Sequence, residues 1–555
     1  MIIYQKNLKI LSEKFPLIYM LLLTKSKNPK NSLLNQKTSK QNKFETSKDS
    51  KNFNFLKNPL NELDTIYIYK CKNHSFLLEL KKWLKKKDKK LIFIEDSLQN
   101  LQNFFTFDIA NTFLNSENVD FHFVKDIKKD LQDIITKNLS TNIEVITFEN
   151  FSKKFRNLKE NILKNSLINF FSTHDSFYSH RLFKNFIKNL GVLKTSFLVN
   201  KFKDKFKNKP AIILGAGPSL NYSYEKLKTL SNKALIIAGG SAITSLTNQN
   251  ILPHLAVAID PNLEEFKRLK NSNAFEIPML YSTRVNFGIF NTFNGDLGYI
   301  KAGINSFFEV WLEYELKILG KYLKTKPDNM AMTVTTICLS LAKLFGCNPI
   351  IIDGVDLAFS ENKLYASSIT KDNKLDKNQN DIGDEPIILK DKNNQDIYSN
   401  LKWKIERDWL SIFAKKSKNI EFFNVTKSGL KIDNFEDATL DIIEKKYFFN
   451  DFDFKGYIHT LSQNYMLTQT KQVDFKALRV KLKNSFLRCQ SYLKDIIKND
   501  PEYKAILAEE ELKDEIAYKY FLLEIDYTLN NFFDDANKTQ KLLDASYIFL
   551  NELKM

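Results

Sequence analysis

The stretch that most constrains this chain is Ala211-Ile-Ile-Leu-Gly-Ala-Gly-Pro-Ser-Leu220. Four apolar residues run into Gly-x-Gly-Pro-Ser and then into helical spacing from Tyr224 to Leu230. That pattern predicts a buried strand, a sharp turn and a helix start, a place where phosphate is readily bound. Gly215 and Gly217 lack a Cβ, so the turn is free to take positive φ and a ligand can approach its N–H groups. Ala216 lies between them. Pro218 suits a first helical turn, which leaves its N–H unpaired anyway. Ser219 adds a hydroxyl beside the helix start. A lone Gly-x-Gly also occurs in tight turns that bind nothing, so the rest of the chain must decide.

Further segments follow the same grammar. After Pro210, strands are expected at Ala211–Leu214, Ala234–Ala238, Leu255–Ile259, Met279–Ser282, Pro349–Ile352 and Ile420–Val425, with helices such as Thr333–Phe345 between them. Strands alternating with helices imply a parallel sheet, which gathers ligand residues at the carboxyl ends of its strands. Gly239, Gly240 and Ser241 follow one buried strand. Asp260 precedes Pro261 at the end of another. Asp353 and Asp356 end a third, in Asp353-Gly-Val-Asp-Leu-Ala358, and Lys363-Leu-Tyr-Ala366 comes next. Each has an ordinary loop explanation; together they point to a site on one sheet edge.

A second, smaller α/β region precedes this one. Thr65–Tyr69, Lys90–Ile94, Val119–Val124 and Ile143–Thr147 read as strands, with helices between them. Its first strand-to-helix turn, Lys70-Cys-Lys-Asn-His-Ser75, has no glycine, so this region reads as structural. The expected order is an N-terminal amphipathic helix in 1–24, a polar flexible linker over 25–58, the small α/β domain over 59–150 and a helical connector over 151–209. A central domain over 210–445 and a C-terminal helical domain over 446–555 follow. Lys371–Asp396 reads as an exposed insertion.

Composition excludes several functions. The formal charge is +18, from 83 Lys and Arg against 65 Asp and Glu. The lysines are spread along the chain and no nucleic-acid motif accompanies them, so no nucleic-acid partner is expected. No apolar run reaches the length of a membrane span. Cys71, Cys338, Cys347 and Cys489 are far apart and lack metal-ligand spacing, which suits reduced thiols in a cytosolic protein. His174 and His180, six residues apart, share no helical face, so no metal site is expected there.

The motif order resembles the motility-associated-factor (Maf) glycosyltransferases, which share a domain with the MptE-like 6-hydroxymethylpterin diphosphokinases. It is carried by Gly215-Ala-Gly-Pro-Ser-Leu220, Ala238-Gly-Gly-Ser-Ala242, Asp260-Pro261, Gly354-Val-Asp-Leu-Ala358 and Tyr365-Ala366. Lys6–Pro16, Ile92–Glu95 and Phe423–Gly429 followed by Lys431-Ile432 extend it. The chain departs at Pro253-His254, where the family has Pro-Asp, at Ser428-Gly429, where it has Gly-Gly, and in the glycine-free N-terminal turn.

The resemblance implies two Rossmann-like parallel-sheet regions, the central one sialyltransferase-like, and a C-terminal helical bundle. It implies inverting transfer of a nonulosonic acid from a CMP-activated donor to Ser or Thr of flagellin, in the cytoplasm. Carried onto this sequence, Gly215, Gly217, Pro218 and Ser219 would hold the CMP phosphate and ribose. Gly240, Ser241 and Asp260 would line the nucleotide pocket, and Asp356 would face donor or acceptor. The acceptor needs a base, for which Asp356 and His254 are candidates, followed by Asp353. Asp260, Asp353 and Asp356 could hold Mg²⁺ or simply shape loops. Two alternatives stay open: an MptE-like diphosphokinase using ATP and Mg²⁺ on a pterin alcohol, and a non-catalytic flagellar assembly factor.

Overall fold

A computed structural model describes residues 2–26, 56, 59–86, 89–125, 127–136, 138, 142–149, 152–177, 179–270, 272–302, 307–323, 333–359, 366, 386–532 and 537–554. Residues 27–55 of the expected linker, Lys363–Tyr365 and Lys371–Glu385 of the expected insertion lie outside them. The chain divides into two compact units, residues 1–173 and His174–Gln379 with Pro386–Met555.

The first unit holds a parallel sheet of β1 (Thr65–Tyr69), β2 (Lys90–Glu95), β3 (Val119–Phe123) and β4 (Ile143–Thr147), in the order β3-β2-β1-β4. These are the four expected strands, within a residue at each end. The N-terminal helix is two helices, Ile2–Lys14 and Pro16–Ser26. Pro16 lacks the N–H that would continue the first, so it opens the second instead. Leu11, Ile18 and Leu22 join a core with Phe93, Phe104, Phe113 and Phe121. Phe93 and Phe121 stack at 4.6 Å.

The second unit is built on nine strands. They are β5 (Ser196–Leu198), β6 (Ala211–Leu214), β7 (Leu235–Gly239), β8 (Leu255–Ala258), β9 (Met279–Tyr281), β10 (Leu297–Tyr299) and β11 (Ile350–Asp353), then, past the hairpin of β12 (Ile387–Lys390) and β13 (Asp396–Ser399), β14 (Phe422–Asn424) and β15 (Glu436–Asp437). The sheet order is β15-β14-β11-β6-β7-β8-β9-β10-β5, and every pairing is parallel. The chain runs outward from β6 to β10, then returns to place β11 on the other side of β6. The sheet's direction therefore reverses between β6 and β11, where open α/β sheets bind ligands.

Side chains alternate across this sheet as its pleat requires. Ile212, Leu214, Ile236, Ala256 and Met279 enter one core. Ala211, Ile213, Leu235, Ile237 and Leu255 enter the other, with helices Val334–Leu344 and Leu401–Lys416. Each fully buried Ile or Leu contributes about 1.5–3 kcal/mol. The C-terminal region is helical as expected, but it shares the first core with the connector. Phe183 of helix Ser179–Asn189 meets Phe486, Phe521 and Phe549 at 6.0, 5.3 and 4.9 Å. No helix of the described residues is long and apolar enough to cross a membrane.

Candidate functional site

The turn after β6 is built by close approach, not by unusual φ. Gly217 has φ −67° and ψ 162°, and neither it nor Gly215 has positive φ, contrary to the expectation. A Cβ at Gly215 would lie 2.3 Å from the Gly354 carbonyl oxygen. One at Gly217 would lie 2.1 Å from Asp356 Oδ2. Positive φ falls instead on Gly354 (64°) and Leu357 (52°) across the crevice.

The amides expected to face an anion are also taken. The Gly215 and Gly217 N–H groups donate to the carbonyls of Asp353 and Gly354, both at 2.8 Å, and the Ala216 carbonyl accepts the Ala366 N–H at 2.9 Å. Pro218 opens a short 3₁₀ helix, Pro218–Tyr222, as its first residue.

Ser219 and Asp356 meet at the centre of this arrangement. Ser219 Oγ donates to Asp356 Oδ1 at 2.6 Å, and the Ser219 N–H lies 3.3 Å from Oδ2. Ser428, in the turn after β14, donates its hydroxyl to Asp356 Oδ1 at 3.3 Å and its N–H to Ser219 Oγ at 3.1 Å. Asp356 is 2% exposed. A general base must reach the acceptor hydroxyl; here Asp356 reaches two serines and ties three turns together.

Asp353, at the tip of β11, is fully buried, with Ser223 and the Gly354 N–H as polar neighbours. Burial pushes its pKa up to about 7, with the charge of Asp356 adding to the rise. Ser223, the Gly354 N–H and Lys392 favour the charged form in part. Asp353 is therefore largely protonated below pH 7.

The turn after β7 is different. Gly240 has φ 53° and ψ −128° and caps helix Ser241–Thr247. This backbone suits glycine alone, and a Cβ there would meet nothing within 4 Å. A Cβ on neighbouring Gly239 would lie 1.9 Å from Val334 Cγ1, so that glycine lets helix Val334–Leu344 approach. Thr333 caps this helix and donates to buried Glu406 at 2.7 Å. Burial pushes Glu406 up to about 7.

Past β8, the Asp260 N–H donates to Glu265 Oε2 at 2.7 Å, and the Asp260 carbonyl accepts the Asn286 N–H at 3.1 Å. Glu265 is fully buried. Burial, then the neighbouring Asp260, pushes its pKa up to about 8. Neither Glu265 nor Glu406 is marked in the sequence, because each stands in a helix rich in charged residues. Ser223 was equally hidden, since a lone serine in a turn carries no pattern, whereas Ser428 stood out as a departure from Gly-Gly.

His254 is on the wrong edge. It directly precedes β8, so in this parallel sheet it lies at the amino ends of the strands, opposite Gly217 and Asp260. Its Nδ1 accepts the Ile236 N–H at 2.9 Å, and its ring packs on Phe454 at 5.1 Å. Burial lowers its pKa to about 4. This is a structural histidine, and the catalytic expectation is corrected.

Asp260, Asp353 and Asp356, which could hold Mg²⁺ or simply shape loops, do not form one cluster. Burial disfavours charge on Asp353, and Asp356 accepts hydrogen bonds from two serines. Asp260 follows β8, three strands from β11, which is about 14 Å at the spacing of neighbouring strands. Among the described residues no group of three or more His, Cys, Asp or Glu is placed to hold a metal. All four cysteines are buried and free.

Residues 184–362 match the model of the family described as 6-hydroxymethylpterin diphosphokinase MptE-like. This stretch is similar to that family's domain. It contains β5 to β11 and the turns bearing Gly217, Gly240, Asp260 and Asp356; the Ser428 turn lies beyond it. Among solved structures, the chain is similar to that of the MAf glycosyltransferase from Magnetospirillum magneticum AMB-1, at 15% identity and a TM-score of 0.47, covering 88% of this chain and 77% of that one. No curated protein matches.

Proposed function

We propose that this chain is a glycosyltransferase that moves a nonulosonic acid from a CMP-activated donor to Ser or Thr of flagellin in the cytoplasm. One observation carries the reading. The glycine turn after β6 and the Asp353–Asp356 turn after β11 flank the point where the sheet's direction reverses, with the Gly240 turn on the next strand. An activated sugar needs such a crevice, with hydroxyl and amide donors for its phosphate and room for its nucleoside.

In this reading Ser219 and Ser428 take the donor phosphate, and the open space beside Gly240 and Ser241 takes the nucleoside. Transfer breaks the bond from the anomeric carbon to the phosphate oxygen and forms one to the acceptor oxygen. CMP leaves with the bonding pair, and the acceptor proton goes to a base. With His254 on the other edge and Asp356 engaged, half-buried Asp260 is the acid left for that step.

The description of the matched family favours a second reading, transfer of diphosphate from ATP to a pterin alcohol. That chemistry recruits Mg²⁺, so the two readings differ in the metal they need. Thermal-shift titration with CMP, CTP, ATP and GTP, with and without Mg²⁺, separates the two. Selective stabilisation by CMP is expected, about 2.7 kcal/mol at a hundredfold excess over Kd. A response confined to ATP with Mg²⁺ supports the kinase, and silence supports an assembly factor. Unchanged flagellin mass on loss of the gene would remove the acceptor assignment.

A further inference from the structure

We propose that Asp356 is a built-in occupant of the phosphate subsite, so that a ligand phosphate binds there only by displacing it. The inference rests on the site assignment above. Ser219 N–H, Ser219 Oγ–H and Ser428 Oγ–H form the kind of donor set that grips a phosphate oxygen, and all three point at one carboxylate, at 3.3, 2.6 and 3.3 Å. Each hydroxyl has a single proton to give, so carboxylate and phosphate cannot both be served. Two negative charges held about 4 Å apart also repel, more strongly in a partly buried site than in water.

Two neighbours make the exchange feasible. Asp353, whose own carbonyl holds the Gly215 N–H, is a fully buried carboxyl beside Ser223 and the Gly354 N–H. In its neutral form it tolerates an incoming anion. Leu357, next to Asp356, holds φ 52° without being glycine, a strained conformation for a residue with a side chain. Turning the segment outward relieves that strain and offsets part of the lost hydrogen bonding.

The test is calorimetric titration of inorganic pyrophosphate, at fixed salt, into the full-length wild type and into Asp356→Ala and Asp356→Asn. Tenfold or greater tightening is expected for the alanine variant, with asparagine, which loses the charge but keeps the bulk, between it and wild type. Equal or weaker binding by the folded alanine variant overturns the proposal, as does no binding to any of the three. If the alanine variant does not fold, the near-isosteric asparagine variant decides by the same criterion.

CMP titrated in parallel separates this inference from the assignment beneath it. Tighter pyrophosphate binding without any CMP response keeps the displaced carboxylate and removes the nucleotide. CMP binding to wild type with no gain in the variants does the reverse.

Discussion

The two parallel sheets close the same crevice in different ways. In the four-stranded sheet the direction reverses between β1 and β4, and the turn after β1 is held by Glu95 at the tip of β2. Glu95 is fully buried and accepts N–H groups of Cys71, Asp96 and Ser97 at 2.8–2.9 Å. Lys70 Nζ adds an ion pair at 3.0 Å, and Asp96 is bound by Lys70, Lys154 and the Tyr69 hydroxyl. In the nine-stranded sheet the corresponding turn is held by Asp356 through serine hydroxyls and an amide, beside a second, protonated acid.

Both turns thus satisfy a carboxylate of the chain itself. The first is neutralised by lysines and backed by side chains. The second lies on glycines at contact distance and uses the donors a phosphate would use. Crevice geometry alone does not distinguish a structural end from a binding site; the chemistry of what fills the crevice does.

The largest test of this contrast is steric. Gly215→Ala should destabilise the second unit by about 3 kcal/mol or more, because its Cβ meets a backbone carbonyl at 2.3 Å that cannot rotate away. Ser75→Ala in the opposing turn should stay within about 0.5 kcal/mol, since Ser75 makes no side-chain capping bond. Denaturant unfolding followed by hydrogen exchange in peptides of each unit reads both; equal costs would erase the contrast.

The units also separate by pH. Asp353, Glu265 and Glu406 are held at about 7, 8 and 7 by burial, above the usual carboxylate values near 4. The folded state keeps protons that the unfolded chain has lost, so stability falls as pH rises from about 4 to 8, by up to about 1.4 kcal/mol per pH unit for each such group. In the first unit Asp96 behaves oppositely. Hydrogen bonds from Lys154, Lys70 and Tyr69 outweigh its burial and hold its pKa well below the usual range, so its contribution is present above about pH 4 and lost as pH falls. Melting of the second unit should therefore drop between pH 5 and 8 while that of the first holds steady. Parallel pH profiles would contradict this.

Much of the fold was legible in the sequence. Aliphatic runs bounded by turn residues located the four strands of the first sheet and six of the second. β5 and β10, three residues each, are too short to show a period, and β5 was hidden in a stretch that read as helix. The edge carrying the glycine turns was legible too, because parallel strands put their carboxyl ends together. The same rule places His254, which precedes its strand, on the opposite edge. What could not be read is tertiary: that Gly215 and Gly217 are demanded by a facing turn, and that Asp356 fills the space in front of them.

The most direct test of the central claim is hydrogen exchange of the full chain with and without saturating CMP. Slowed exchange is predicted at 215–220, 239–243, 353–359 and 426–429, with no change at 70–75 and 95–97. Slowing at the lysine-closed turn of the first sheet, or at neither turn, would contradict the assignment.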